Sequence, residues 1–226
     1  MFVIDKIIDF FFPRFCPVCG EVDVLLCDKC ERDLGLASQI CPVCNEESLM
    51  GWTHKSCQKN DGLDGLISLF EYGDPSVRKV VDSIKYDFNA ELVTRLFEKI
   101  QIEVGIDFDF VVPVPLHYYR NNWRGFNQAE LIGKALCFQI PNARFEKILL
   151  RKVNTVQQVR MANKLERRKN VTGVFDLNFK SKCAGLKGKN VLLVDDVFTT
   201  GSSMNECCLV LKREGARSVW GFVLAH

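Results

Sequence analysis

Several familiar signals are missing from this chain of 226 residues. There is no Gly-x-x-x-x-Gly-Lys-Ser/Thr, so a P-loop nucleotide hydrolase lacks its phosphate-binding half. There is no long apolar run. Met1 to Pro13 is apolar, but Asp5, Lys6 and Asp9 interrupt it. It has neither the basic start nor the small-residue cleavage site of a signal peptide, and it is too short to span a bilayer. It reads as a short amphipathic helix stopped at Pro13, packed on its own protein, with a membrane surface or a partner as the alternative. A net charge of +2 gives no global case for nucleic acid. Histidine is scarce, three residues in all, which leaves few places for imidazole chemistry.

Against these absences stand eleven cysteines. Cys16-x-x-Cys19, Cys27-x-x-Cys30, Cys41-x-x-Cys44 and His54-x-x-Cys57 form four pairs with the same two-residue gap. That gap lets both members of a pair reach one Zn2+, and eight ligands make two closed tetrahedral sites of a structural kind. A disulfide framework is the alternative. The lack of a leader, and the scatter of Cys137, Cys183, Cys207 and Cys208 through core-like sequence, favour a reducing compartment and zinc. Short gaps favour successive sites, Cys16, Cys19, Cys27, Cys30 and then Cys41, Cys44, His54, Cys57, over an interleaved pairing. Residues 1–60 carry six Lys/Arg and nine Asp/Glu. Phosphate attraction needs the opposite sign, so a scaffold or protein-contact role is expected for this module.

The remainder, 61–226, reads as a second module of α/β type. Asp61-Gly62-Leu63-Asp64-Gly65 has linker composition. A strand over Leu66–Tyr72 follows, then helices from Val77 and from Ala90 to about Ile102, a strand over Phe108–Leu116 closed by two prolines, and a helix over Gln128–Cys137. His117 to Gln128 is a polar, aromatic and basic loop, either an ordinary surface loop or a lid whose arginines meet phosphate. Lys85 alone reads as a solvated position. Arg151 to Lys169 carries seven basic residues against Glu166. It is either a solvated helix face or a groove for single-stranded nucleic acid, with Arg160, Lys164, Arg167 and Arg168 as candidates.

The most informative segment is Val191-Leu192-Leu193-Val194-Asp195-Asp196, followed by Val197-Phe198-Thr199-Thr200-Gly201-Ser202-Ser203. Unbroken apolar residues suit a strand buried on both faces of a parallel sheet, where ligands sit at the carboxyl end. The next amides would gather at a helix N-terminus, where an anion is favoured. Gly201 allows close backbone approach, and short hydroxyls add donors without bulk.

This segment resembles the phosphoribosyl-pyrophosphate (PRPP) signature of type I phosphoribosyltransferases. The resemblance implies that Asp195 and Asp196 hold ribose hydroxyls with Mg2+, and that Thr199, Thr200, Gly201, Ser202 and Ser203 wrap the 5′-phosphate. Pyrophosphate would then fall to Lys85, Arg120 and Arg124. With Pro113-Val114-Pro115, Arg124-Gly125-Phe126-Asn127-Gln128, Thr155-x-x-Gln158 and Arg167-x-x-Asn170 in order after a double zinc ribbon, nearly the whole chain is similar to the ComF family. That likeness implies a mostly parallel sheet flanked by helices, preceded by a small double zinc ribbon. It also implies natural transformation, with handling of imported single-stranded DNA beside a helicase-type partner. The place would be cytoplasmic, at the inner face of the cytoplasmic membrane. A working transferase on an unknown acceptor is the other reading. The chain departs from the family pattern at His54, where cysteine is usual, and at Asn45, where glycine is usual. Both bear on the second ribbon and neither on the ribose site.

Overall fold

The computed structural model describes residues 14–86, 90–99, 105–116, 126–152, 173–178 and 185–226. Two zinc-ribbon-like knuckles come first. The residue before the first cysteine bridges one seven positions on in each, Phe15 to Val22 and Ile40 to Glu47. The amide of Gly20 donates to Cys16, and that of Asn45 to Cys41. The two knuckles are thus one local structure written twice, 25 positions apart. A short helix α1 (Asp28–Asp33) completes the first, and a 3-10 turn (Leu49–Gly51) lies within the second.

Five strands then form a parallel sheet in the order β1-β7-β6-β2-β3, made of Gly65–Phe70, Ser218–Ala225, Asn190–Val197, Phe110–Pro113 and Arg144–Phe145. The helices α2 (Pro75–Tyr86), α3 (Ala90–Lys99) and α4 (Gln128–Cys137) supply one face. α5 (Ser202–Arg213) and an antiparallel pair, β4 (Leu149–Arg151) and β5 (Phe175–Leu177), cover the other. Val191, Leu192, Leu193 and Val194 are fully buried, as expected for a central strand with helices on both sides. Alternation assigns them to faces: Leu192 and Val194 pack with α2, α3 and α4, Val191 and Leu193 with α5.

Most predicted elements fall where the sequence puts them, and α4 has the predicted bounds. Of Phe108–Leu116, read as a strand and its exit, Phe110–Pro113 is the strand, and the Val114 amide makes one more bond to Val194, at 2.8 Å. Arg151 lies on β4, a strand, so a helix face running from it is corrected. Residues 153–172, with the rest of the basic stretch, lie outside the described residues.

Topology positions the site. From β2 the chain passes through α4 to β3, away from β6. From β6 it passes through α5 to β7, away from β2, and on the opposite face of the sheet. β2 and β6 are paired neighbours, so their carboxyl ends flank a topological switch point, where open α/β sheets form a crevice. The opposite ends are pinned by polar contacts. Asp109 accepts from Lys189 Nζ at 2.8 Å and from the Asn190 amide at 2.9 Å.

The ribbons seat on the free edge of β1. Leu36 bridges Phe70 and Trp52 bridges Gly65. Gln39 pairs with the backbone of Ser68 through both amide atoms, at 2.8 and 3.0 Å. Trp52 meets Trp220 edge-on, with ring centroids 4.5 Å apart. An edge strand that would otherwise offer unpaired amides is therefore covered.

Candidate functional site

The two groups of metal donors are the successive sets. Cys16, Cys19, Cys27 and Cys30 bring their sulfurs within 4.8 Å of one another, and so do the donor atoms of Cys41, Cys44, His54 and Cys57. Tetrahedral Zn–S bonds of about 2.3 Å place ligand atoms roughly 3.8 Å apart. Cys19 and Cys27 sulfurs are separated by 3.7 Å, and Cys44 Sγ lies 3.4 Å from His54 Nδ1. The other ring nitrogen of His54 lies 3.1 Å from the Glu47 carbonyl, an orienting contact typical of a metal-bound histidine. Burial resists ionisation of Cys16 and Cys41. Backbone donors outweigh it, from Cys19, Cys27 and Val18 in the first set and from Cys44, His54 and Val43 in the second, and bring both thiols down to about 7. These sets fit zinc in donor type, number and spacing. The ten cysteines among the described residues are all free thiols, so no disulfide forms there.

Asn45 has φ +63°, the left-handed conformation that Gly20 adopts in the first knuckle at φ +82°. Asparagine tolerates this region better than other non-glycine residues, so the substitution leaves the knuckle intact.

At the sheet's carboxyl edge, Asp195 and Asp196 stand just before Val197, the last residue of β6. Consecutive strand residues face opposite ways, and the two acids do so here. Asp196 turns to α2, where its Oδ2 lies 3.4 Å from Lys85 Nζ. Lys85 is 14% exposed at its side chain, which corrects the solvated reading. Asp195 turns to the α5 face and receives the Asp196 amide at 2.9 Å. Burial, then the charge of Asp196, pushes the Asp195 carboxyl up to about 8, against the opposing pull of that amide, Lys85 and Arg151.

The turn into α5 follows at once. The Phe198 amide is spent on Ala225. The amides of Thr199, Thr200, Gly201 and Ser203 make no backbone hydrogen bond among the described residues. They lie at the positive end of a twelve-residue helix. Thr200 and Ser202 hydroxyls are 2.8 Å apart. Gly201 caps the helix at φ +66°, and a Cβ there would meet the Phe198 ring at 2.5 Å. The position thus demands glycine twice over, by conformation and by space.

Sequence reasoning missed the part played by Arg151. Its charge acts on both Asp195 and Cys207, so it joins Lys85 as a cation beside the acids. The only signal was its place at the head of the basic run. Gln128, at the start of α4, is 1% exposed, and its Nε2 has no partner among the described residues. Arg120, Arg124, Arg160, Lys164, Arg167 and Arg168 lie outside the described residues. A cleft of about 550 Å³ runs beside the turn. Pro42, Val43, Asn45 and Lys59 of the second ribbon line it, facing Thr199, Thr200, Ser202 and Asn205.

Comparison with known proteins matches both halves. The double zinc ribbon domain model covers residues 7–59 and the phosphoribosyl transferase domain model residues 126–225. DNA utilization protein YhgH of Escherichia coli K12 is 27% identical over 224 residues, spanning 92% of this chain and 94% of that protein. Competence protein ComFC of Bacillus subtilis is 26% identical over 217 residues, spanning 89% and 84%. Competence protein F of Haemophilus influenzae is 34% identical over 117 residues, spanning 51% and 50%. Among the described residues, no helix is long and apolar enough to cross a membrane.

Proposed function

The chain is a homologue of competence protein F and ComFC, a double zinc ribbon joined to a phosphoribosyltransferase domain, and on that premise we propose that it serves in DNA uptake by binding a ribose phosphate. The observation that carries this reading is the set of amides at Thr199, Thr200, Gly201 and Ser203, which make no backbone hydrogen bond among the described residues, beside Asp195 and Asp196 at the switch point. The 5′-phosphate of PRPP, or of a nucleotide, takes those amides and the Thr200 and Ser202 hydroxyls. The ribose hydroxyls pair with the carboxyl groups of Asp195 and Asp196. Mg2+, when bound with pyrophosphate, would supply positive charge, with Asp195 and Asp196 the residues to hold it. Lys85 and Arg151 hold the acid pair, and Arg120 and Arg124 take the pyrophosphate oxygens. Arg160, Lys164, Arg167 and Arg168 form the path for imported single-stranded DNA, beside a helicase-type partner. Zinc in Cys16, Cys19, Cys27, Cys30 and in Cys41, Cys44, His54, Cys57 is structural, fixing the ribbons on the edge of β1.

The test is calorimetric titration of the zinc-loaded chain with PRPP and Mg2+, beside anisotropy of a labelled single-stranded oligonucleotide. Saturable PRPP binding lost in Asp195→Ala/Asp196→Ala is expected. So is oligonucleotide binding that weakens with salt and with Arg167→Ala/Arg168→Ala. Absence of PRPP binding at millimolar ligand defeats the pocket; unchanged oligonucleotide binding in the arginine variant defeats the path.

A second reading, a working transferase, is favoured by one observation: Asp196 keeps a cationic neighbour, Lys85, at 3.4 Å. In that reaction the ribose C1–pyrophosphate bond breaks, a bond from C1 to an acceptor nucleophile forms, and the acceptor's proton is released. Mg2+-dependent pyrophosphate release that requires an acceptor would establish it; none across a broad acceptor panel would leave binding as the role.

A further inference from the structure

The cleft of about 550 Å³ beside the phosphate turn has no part in the reading above. A phosphate held by backbone amides does not need it, and a space of this size falls in the range of about 300–1,000 Å³ that small-molecule sites occupy. Its two walls come from different modules. On one side, Ser202, Asn205, Glu206 and Leu209 fall at i, i+3, i+4 and i+7, a single face of α5. All four are half-buried, while Met204, Cys207, Cys208 and Leu211 turn into the core. On the other side stand Pro42, Val43 and Asn45 of the second knuckle. The first knuckle supplies an internal comparison, since both read Cys-Pro-Val-Cys. Val18 packs against the helical layer of the sheet domain. Its counterpart Val43 is 50% exposed and borders the cleft instead.

The lining suits a ring better than an anion. Pro42, Val43 and Leu209 offer apolar surface to the faces of a base. The side-chain amides of Asn45 and Asn205 both donate and accept, as the edge of a base requires. Lys59 is opposed by Asp61 and Glu206, so a second phosphate is disfavoured there. Place relative to the turn decides how such a base is attached. Thr199, Thr200 and Ser202 line the cleft, and Asn205 Nδ2 lies 3.2 Å from where a Cβ of Gly201 would stand. A phosphate on the amides of that turn therefore borders the cleft, and a substituent on it enters the space. With ribose phosphate bound at the turn as premise, taken from the reading above, we propose that the cleft binds the nucleoside on the 5′ side of that phosphate. The turn then accepts a phosphodiester of a strand as well as the terminal phosphate of PRPP. The second ribbon is thereby a wall of the ligand site, beyond its seat on β1.

Calorimetric titration of the full, zinc-loaded chain tests this with uridine 5′-monophosphate (UMP), uridylyl-(3′→5′)-uridine (UpU), the pyrophosphate-bridged diuridine diphosphate, and PRPP with Mg2+. UpU should bind at least ten-fold more tightly than UMP. It carries less charge at the phosphate, so attraction to the turn alone would favour UMP. The bridged compound should bind no more tightly than UpU. Two neutral variants, one in each wall, leave the charge around the turn untouched. Val43→Ser and Leu209→Gln should each weaken UpU at least five-fold and change UMP less than two-fold, with two zinc ions retained. PRPP and UMP binding without any advantage for UpU overturns the proposal and leaves the ribose-phosphate reading standing. Tighter binding of the bridged compound overturns the assignment to a phosphodiester, and UpU binding that neither variant weakens overturns the place. If none of the four ligands binds, the ribose-phosphate reading falls and the proposal with it.

Discussion

Asp195→Asn should stabilise the protein, by an amount that grows with pH, while removing ribose-phosphate binding. Burial and the neighbouring Asp196 raise the Asp195 carboxyl to about 8, from an ordinary 3.8. Between those values the folded state holds a proton that the unfolded chain has released. Stability contributed by the proton is therefore whole at low pH and declines as pH rises toward 8. Each pH unit in that window is worth at most about 1.4 kcal/mol. From pH 5.5 to 7.5 the wild-type chain should lose on the order of 1–3 kcal/mol relative to Asp195→Asn, after allowance for relaxation and for its coupling to Asp196. The assay is urea unfolding of both proteins across that range, zinc-loaded and without Mg2+, with PRPP titration at pH 7.5. The expected pattern is a gain in stability together with a loss of binding, as at a site where function is kept against stability. Parallel stability curves for the two proteins, with no divergence as pH rises, would refute the reasoning about burial.

Three further predictions concern the turn and the ribbons. Gly201→Ala places a Cβ 2.5 Å from the Phe198 ring at φ +66°, and should cost about 1–3 kcal/mol by thermal unfolding and weaken PRPP binding at least ten-fold. His54→Ala should reduce bound zinc from two ions per chain to one by mass spectrometry or atomic absorption, whereas His54→Cys should keep both. Asn45→Gly should leave stability within about 0.5 kcal/mol or raise it, while Asn45→Ala should lower it by about 1 kcal/mol, because only the latter is strained at φ +63°.

Much of this was legible in the residues. Four apolar positions before Asp195 suit a strand buried on both faces, because a half-exposed strand alternates apolar and polar residues. The same two-residue gap in four pairs announced the ribbons, and short gaps between pairs their succession. Less legible was anything set by tertiary approach. The Lys85–Asp196 pair joins positions far apart in sequence, and the charge of Arg151, on another strand, bears on Asp195. Periodicity places a side chain on a face but does not say which distant charge meets it. Asn45 looked like an irregularity because sequence gives residue type and not φ; its left-handed backbone removes the difficulty. The seat of the ribbons on β1 depends on Gln39 and Trp52, neither of which belongs to a motif.

The most direct measurement is a crystal structure of the zinc-loaded chain with PRPP and Mg2+. The account predicts the 5′-phosphate within hydrogen-bonding distance of the amides from Thr199 to Ser203, with the ribose hydroxyls on Asp195 and Asp196. PRPP bound elsewhere, or those amides turned to protein acceptors while the ligand is absent at saturating concentration, would contradict it.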